Sequence, residues 1–151
     1  MTHWLTNKGK FLLLQGHWDD AGATLIRLGL LSGASIPAAI DTEAEIQDLN
    51  TVTDLLALAT EVSAGWYSRK NLSRSVVAED DTNNRANLDA ADVVWTAATA
   101  GTNIYGAFWY DATTDTTDTT RLLMGLILFG SVVPTNGSDL TLTITDLIRA
   151  S

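Results

Sequence analysis

The residues able to do chemistry are few and scattered. There are two histidines, His3 and His17, each beside a tryptophan, and Asp19 and Asp20 follow His17. A Ser-His-Asp site needs three groups converging on one pocket, and no G-x-S-x-G elbow supplies the serine. Both histidines are read as solvent-facing turn residues. Glu43, Glu45 and Glu61 are of the type that pairs in glycoside hydrolysis, yet any chain with 18 acidic residues offers such pairs. Asp80, Asp81, Asn83, Asn84, Asn87, Asp89 and Asp92 form the densest cluster of oxygen donors. Calcium takes ligands of these kinds, but the spacing is not that of an EF-hand loop, and Asx turns account for the same composition. There is no cysteine, which excludes thiolate metal sites and disulfides. P-loop, GxGxxG and HExxH motifs are absent as well. The expectation is a chain without catalytic residues, metal or cofactor.

The aromatic residues carry more information. Of five tryptophans, Trp95 and Trp109 lie in apolar stretches and are expected in the core, while Trp66 precedes the basic run Arg69, Lys70 and Arg74. Trp4 and Trp18 stand among polar residues and are candidate interface anchors. Exposed tryptophans sharing one face would instead make a stacking platform for sugars. The basic run is solvated, paired with the acidic excess, or turned toward an acidic partner. The stretch DATTDTTDTT, Asp111 to Thr120, reads as a hairpin connection, a cation site or a linker. Threonine is β-branched and favours extended backbone, and the stretch lacks the Gly, Ser or Pro of a flexible linker. It is therefore expected to extend the arms of a hairpin, with Asp115 and Asp118 at an exposed tip that could touch a neighbouring subunit.

These residues need a scaffold. A chain of 151 residues with 46% hydrophobic content suits one globular domain. Only 18% of residues are charged, and the net charge of −9 argues against nucleic acid and anionic membranes. MTHWLTNKGK lacks the apolar core of a signal peptide. Leu122 to Val133 is shorter than the roughly 20 residues that span a bilayer. A protein made in the cytoplasm, soluble or built into an assembly, is expected.

Lys10 to Gly16 and Thr24 to Leu31 read as a hairpin around HWDDAGA. Asp41 caps one short helix in the N-terminal third. SVVAEDD and DVVWTAA read as strands separated by an Asn-rich loop, and NIYGAFWYDA as an aromatic strand. RLLMGLILFGSVV has apolar residues on both faces and should be central. The Asn136-Gly137 pair marks a turn. After it, Leu140, Leu142 and Ile144 alternate with Thr141, Thr143 and Thr145. This density of strands predicts a mainly β chain, a single-domain, jelly-roll-like β-sandwich over residues 1–151, with residues 1–10 as a possible interface arm.

The pattern also resembles small virion structural proteins of tailed bacteriophages. The residues that carry the resemblance are Tyr67 and Arg69; Asp89, Asp92, Val93 and Trp95; Gly101, Thr102, Ile104, Gly106 and Ala107; Leu126, Phe129 and Gly130; and Thr135, Asn136, Gly137, Asp139, Thr141 and Ile144. The resemblance covers roughly residues 50 to 146. The resemblance implies a non-enzymatic β-rich protein of the phage particle, first a head decoration or cement protein and second a tail, neck or baseplate component. The implied partners are the major capsid protein or other virion proteins and further copies of the chain, as a dimer or trimer. The rival expectation is a carbohydrate- or receptor-binding module.

Overall fold

Two segments, 103–111 and 122–134, carry apolar side chains on both faces, and such strands belong in a sheet covered above and below. The computed structural model, which describes residues 2–16, 25–73, 78–80, 85–113, 116–144 and 148–150, pairs them antiparallel at the centre of the molecule. In chain order the elements are β1 (Thr2–Leu5), α1 (Asn7–Leu14), β2 (Ile26–Ser32), a 3-10 turn (Ala38–Ile40), α2 (Glu43–Ile46), α3 (Val52–Leu56), β3 (Lys70–Asn71), β4 (Ala78–Asp80), β5 (Arg85–Leu88), β6 (Val93–Trp95), β7 (Asn103–Asp111), β8 (Leu122–Pro134), β9 (Leu140–Leu142) and β10 (Ile148–Ala150). The chain is mainly β, as its strand density predicts.

The main sheet has five strands in the order β1-β8-β7-β2-β3, with every pair antiparallel. One face packs Ile26, Leu28, Leu30, Ala107, Trp109 and Ile127 against Trp95, Leu142 and Ile144 from the two-stranded β6-β9 ribbon and its continuation. The other face packs Leu31, Tyr105, Phe108, Tyr110, Leu123 and Leu126 against Ile40, Ile46, Val52 and Leu55 from the helices. The sandwich is therefore uneven: a small ribbon covers one side and short helices cover the other. The register shifts between Ile104 and Gly106 and again between Trp109 and Tyr110. The first shift lets Ile104 share a face with Ala107 and Trp109 although the strand period is two. A separate three-stranded sheet has the order β10-β5-β4.

Several local expectations are corrected. Lys10 to Gly16 is not a strand: residues 7–14 form α1, whose start is fixed by Thr6. The Thr6 side chain accepts the Gly9 N–H at 2.8 Å and donates to the Leu123 carbonyl at 2.6 Å, so one buried hydroxyl caps the helix and ties it to β8. Gly9 lets the helix lie directly on that strand, because a Cβ there would stand 1.9 Å from the Met124 carbonyl oxygen. The single helix expected after Asp41 is two, capped by Thr42 and Thr51 through capping boxes with Glu45 and Asp54. The Asn-rich loop holds a strand, β5. The Asn136-Gly137 turn is present, with Gly137 at φ +94°, but it joins strands of different sheets, since β8 pairs with β7 and β9 with β6. Residues 2–5 are an edge strand paired with residues 125–128, so the expected arm is part of the sheet.

Candidate functional site

β2 has only a two-residue neighbour, β3, on its outer side. The rest of its edge is covered by other means. Val62 N–H donates to the Leu30 carbonyl at 3.1 Å and Ser32 N–H to the Thr60 carbonyl at 2.8 Å. Leu30 N–H donates to the Tyr67 hydroxyl at 3.0 Å, a side chain standing where a strand's carbonyl would be. The segment 60–69 thereby lies along the sheet edge, and it carries Glu61, Tyr67 and Arg69 to one place.

Arg69 is the centre of the site. Its Nε and one terminal nitrogen donate to the two oxygens of Glu61 at 2.7 and 2.6 Å. The two terminal nitrogens also donate to the two oxygens of Asp118 at 2.6 and 2.7 Å, and one reaches the Tyr110 hydroxyl at 3.4 Å. A guanidinium has five N–H donors in a planar fork, and here all five are engaged. The group also lies 5.4 Å from the Phe108 ring centroid and 5.1 Å from that of Tyr110, a distance at which a cation is attracted to an aromatic face. Arg121 adds a second cation, 2.9 Å from Asp118 and 5.5 Å from the Tyr110 centroid. Two guanidinium groups and two carboxylates balance in charge, which lets the cluster tolerate being mostly buried.

The protonation states follow from this geometry. Hydrogen bonds from Arg69, then from Arg121, hold the Asp118 carboxyl below the ordinary aspartate value, against the opposing effect of burial. Burial, followed by the hydrogen bond to Glu61, pushes the Tyr67 phenol upward, so it stays protonated and donates to Glu61 at 2.5 Å. Burial alone would lower the Arg69 value, but the bonds to Glu61 and Asp118 more than reverse that. There is no nucleophile poised beside a base in this cluster, and no donor of Arg69 is left for a ligand. The arrangement is a mechanical clamp.

The clamp holds the segment between β7 and β8. Asp118 belongs to DATTDTTDTT, which connects the two strands of the β7-β8 hairpin; Thr116, Thr117, Thr119 and Thr120 are exposed, while Asp118 is half-buried. The first turn of this connection is closed by Asp111, whose carboxylate accepts the Thr113 N–H at 2.8 Å, while Thr113 in turn accepts the Leu25 N–H at 2.8 Å. The return is stitched to α3 by Thr53 N–H to the Asp118 carbonyl and Val52 N–H to the Arg121 carbonyl, both at 3.0 Å. Asp118 is thus engaged inside the chain, and Asp115 and Trp18 lie outside the described residues.

The other residues singled out from the sequence do not converge. His3 is half-buried in β1, and His17 lies outside the described residues. Glu43 pairs with Lys10 at 3.3 Å, Glu45 closes a capping box, and Glu61 is in the clamp. Side chains of the Asp/Asn cluster from Asp80 to Leu88 lie outside the described residues, as does Arg74, while Asp92 accepts the Ile144 N–H at 2.9 Å. Among the described residues no three metal-binding side chains come together. Trp95 and Trp109 are fully buried, as expected, whereas Trp4 and Trp66 are half-buried against opposite faces of the main sheet. The described tryptophans therefore form no shared exposed face.

At the far end of the molecule a shallow depression of about 180 Å³ is lined by Ala98, Val133, Pro134 and Asp139, among others. Its one carboxylate, Asp139, accepts the N–H of Ala97, a residue in the left-handed region at φ +50°. The loops around it are sewn together by Thr135, which donates to the Thr99 carbonyl at 2.5 Å and accepts the Thr102 N–H at 3.0 Å.

The clamp itself was hidden from the sequence except for Tyr67 and Arg69, whose alternate spacing places both side chains toward one side of an extended segment. No family model, curated protein or solved structure matches the chain.

Proposed function

We propose that the chain is a non-enzymatic structural protein of a bacteriophage virion, in the first instance a capsid decoration or cement protein bridging neighbouring capsid subunits. The observation that supports this reading is the kind of role the resembling residues have. Tyr67 and Arg69 close the sheet edge and clamp the β7-β8 connection. Trp95 fills the core and donates from its indole nitrogen to the Ser68 carbonyl at 2.9 Å. Gly106 allows close approach to Ile127, and Gly101 and Gly137 occupy left-handed turns. Thr135, Asn136 and Asp139 bind loop backbone. The pattern is one of scaffold residues, and a scaffold that docks repeatedly on a shell gains affinity from many copies at once without pocket chemistry. In this reading the subunit resists outward pressure from packaged DNA, its partners are capsid protein and copies of itself, and it resides in the virion.

Co-sedimentation of the purified chain with phage particles, expanded heads and isolated tails tests the proposal. Saturable binding to heads in many copies is expected. Binding to tails or necks alone would assign the chain to those parts of the particle. Binding to none, with tryptophan fluorescence responding to glycans, would overturn the virion reading in favour of a carbohydrate-binding module.

A further inference from the structure

α1 is apolar on more than the face it buries. Gly9 and Leu12 are covered, whereas Phe11 is 51% and Leu14 90% exposed, the latter the most exposed large apolar side chain among the described residues. Phe11 and Leu14 are three apart and share the outward face. Lys8 lies over the Phe11 ring, 5.4 Å from its centroid.

Charge surrounds this apolar centre asymmetrically. Residues 1–16 contain Lys8 and Lys10 and no acidic residue, while residues 41–54 contain Asp41, Glu43, Glu45, Asp48 and Asp54 and no basic one. The two segments adjoin. Asn7 N–H donates to the Gln47 carbonyl at 2.7 Å, the Asn7 side chain to Asp48 at 3.0 Å, and Lys10 reaches Glu43 at 3.3 Å. Lys10 thus belongs to the acidic side, and the surface presents the apolar pair Phe11 and Leu14 with Lys8 on one flank and the acidic α2 segment on the other.

An anionic membrane or a nucleic acid would meet the acidic flank at close range, and a purely acidic partner would meet it too. A partner carrying both signs around an apolar centre fits, and a second copy rotated by a two-fold axis offers that surface, base against acid and Phe11 and Leu14 against their counterparts. We infer that the outward face of α1 with the adjoining α2 is a self-complementary contact between two copies of this chain. The inference rests on the part of the virion reading that gives the chain copies of itself as partners, and it names the surface by which two copies meet.

Sedimentation velocity of the full chain over roughly 1 µM to 1 mM tests it, a range chosen because small, partly polar contacts give weak complexes. The average mass should rise toward twice that of the monomer, with the midpoint moving to higher concentration in strong salt. Leu14→Glu and Phe11→Ser should each abolish the rise while leaving the circular dichroism spectrum unchanged, because neither side chain is in the core. A chain that stays monomeric throughout, a trimer, or a dimer indifferent to Leu14→Glu would each overturn the inference. So would Leu14-dependent binding to phosphatidylserine vesicles by a monomeric chain. A Leu14→Glu monomer that still sediments with heads would separate this contact from capsid binding.

Discussion

Replacing Arg69 by Met keeps much of the side chain's volume over Phe108 and Tyr110 but removes the charge and all five donors. Glu61 would keep the Tyr67 hydroxyl and Asp118 would keep Arg121. Each would lose a bidentate partner in a setting where the Arg69, Glu61 and Asp118 side chains are only 13%, 19% and 30% exposed. Removing one member of a buried ion pair costs roughly 3–5 kcal/mol. The remaining partners and partial exposure place Arg69→Met at the lower end, about 3 kcal/mol. For a chain of this size that corresponds to a fall in Tm of about 6–12 °C. Urea unfolding followed by far-ultraviolet circular dichroism measures the loss, and a double-mutant cycle with Asp118→Asn should give a coupling of about 1–3 kcal/mol. Arg69→Lys should recover only part of the stability, because an ammonium cannot reproduce the planar fork. A loss below about 1 kcal/mol, or strict additivity with Asp118→Asn, would show that the cluster is a surface ornament and the clamp argument mistaken.

Four further outcomes follow from the same structure. The Asp118 carboxyl is held below its ordinary value of 3.8, so its contribution is complete above that pH and is lost as pH falls through the lower folded value; the stability gap between the wild type and Asp118→Asn should be flat near neutrality and close in strong acid. Tyr67→Phe leaves the Leu30 N–H without its acceptor and should cost about 1–3 kcal/mol by urea unfolding. Gly9→Ala should destabilise by about 1–3 kcal/mol even though alanine favours helix by about 1 kcal/mol, because the added methyl meets the Met124 carbonyl; a more stable variant would show that α1 does not lie on β8 as described. Thr135→Val should cost about 2 kcal/mol and speed amide exchange in residues 98–102, since it removes two bonds between loops.

The strands were legible where sequence and burial agree. Leu122 to Leu128 is apolar on both faces because it lies between two layers, and Leu142 and Ile144 alternate with exposed Thr141 and Thr143 because one side of that segment meets the core. The run Phe11 to Leu14 misled because a short apolar stretch fits strand or helix equally by periodicity. Thr6, the cap, and Gly9, the contact with β8, decide the matter, and both act through residues more than 100 positions away. The clamp was half legible for the same reason. Tyr67 and Arg69 stand together in the sequence, but Asp118 lies 49 residues from Arg69 and looks like one more aspartate in a threonine-rich stretch. Pairing over such distances is a property of the folded topology, which local spacing does not encode.

The pairing of β1 with residues 125–128 of β8 also sets a timetable. β1 leaves the ribosome well before β8 and cannot find that neighbour until about 120 further residues have been made, which at roughly 5–20 residues per second takes about 6–24 s. Throughout that interval Trp4, Leu5 and the apolar side of α1 have no β8 to pack against. A topology dominated by such distant partners folds slowly for its size, and the main sheet closes only when β8, the last of its strands to be made, joins β7 and β1.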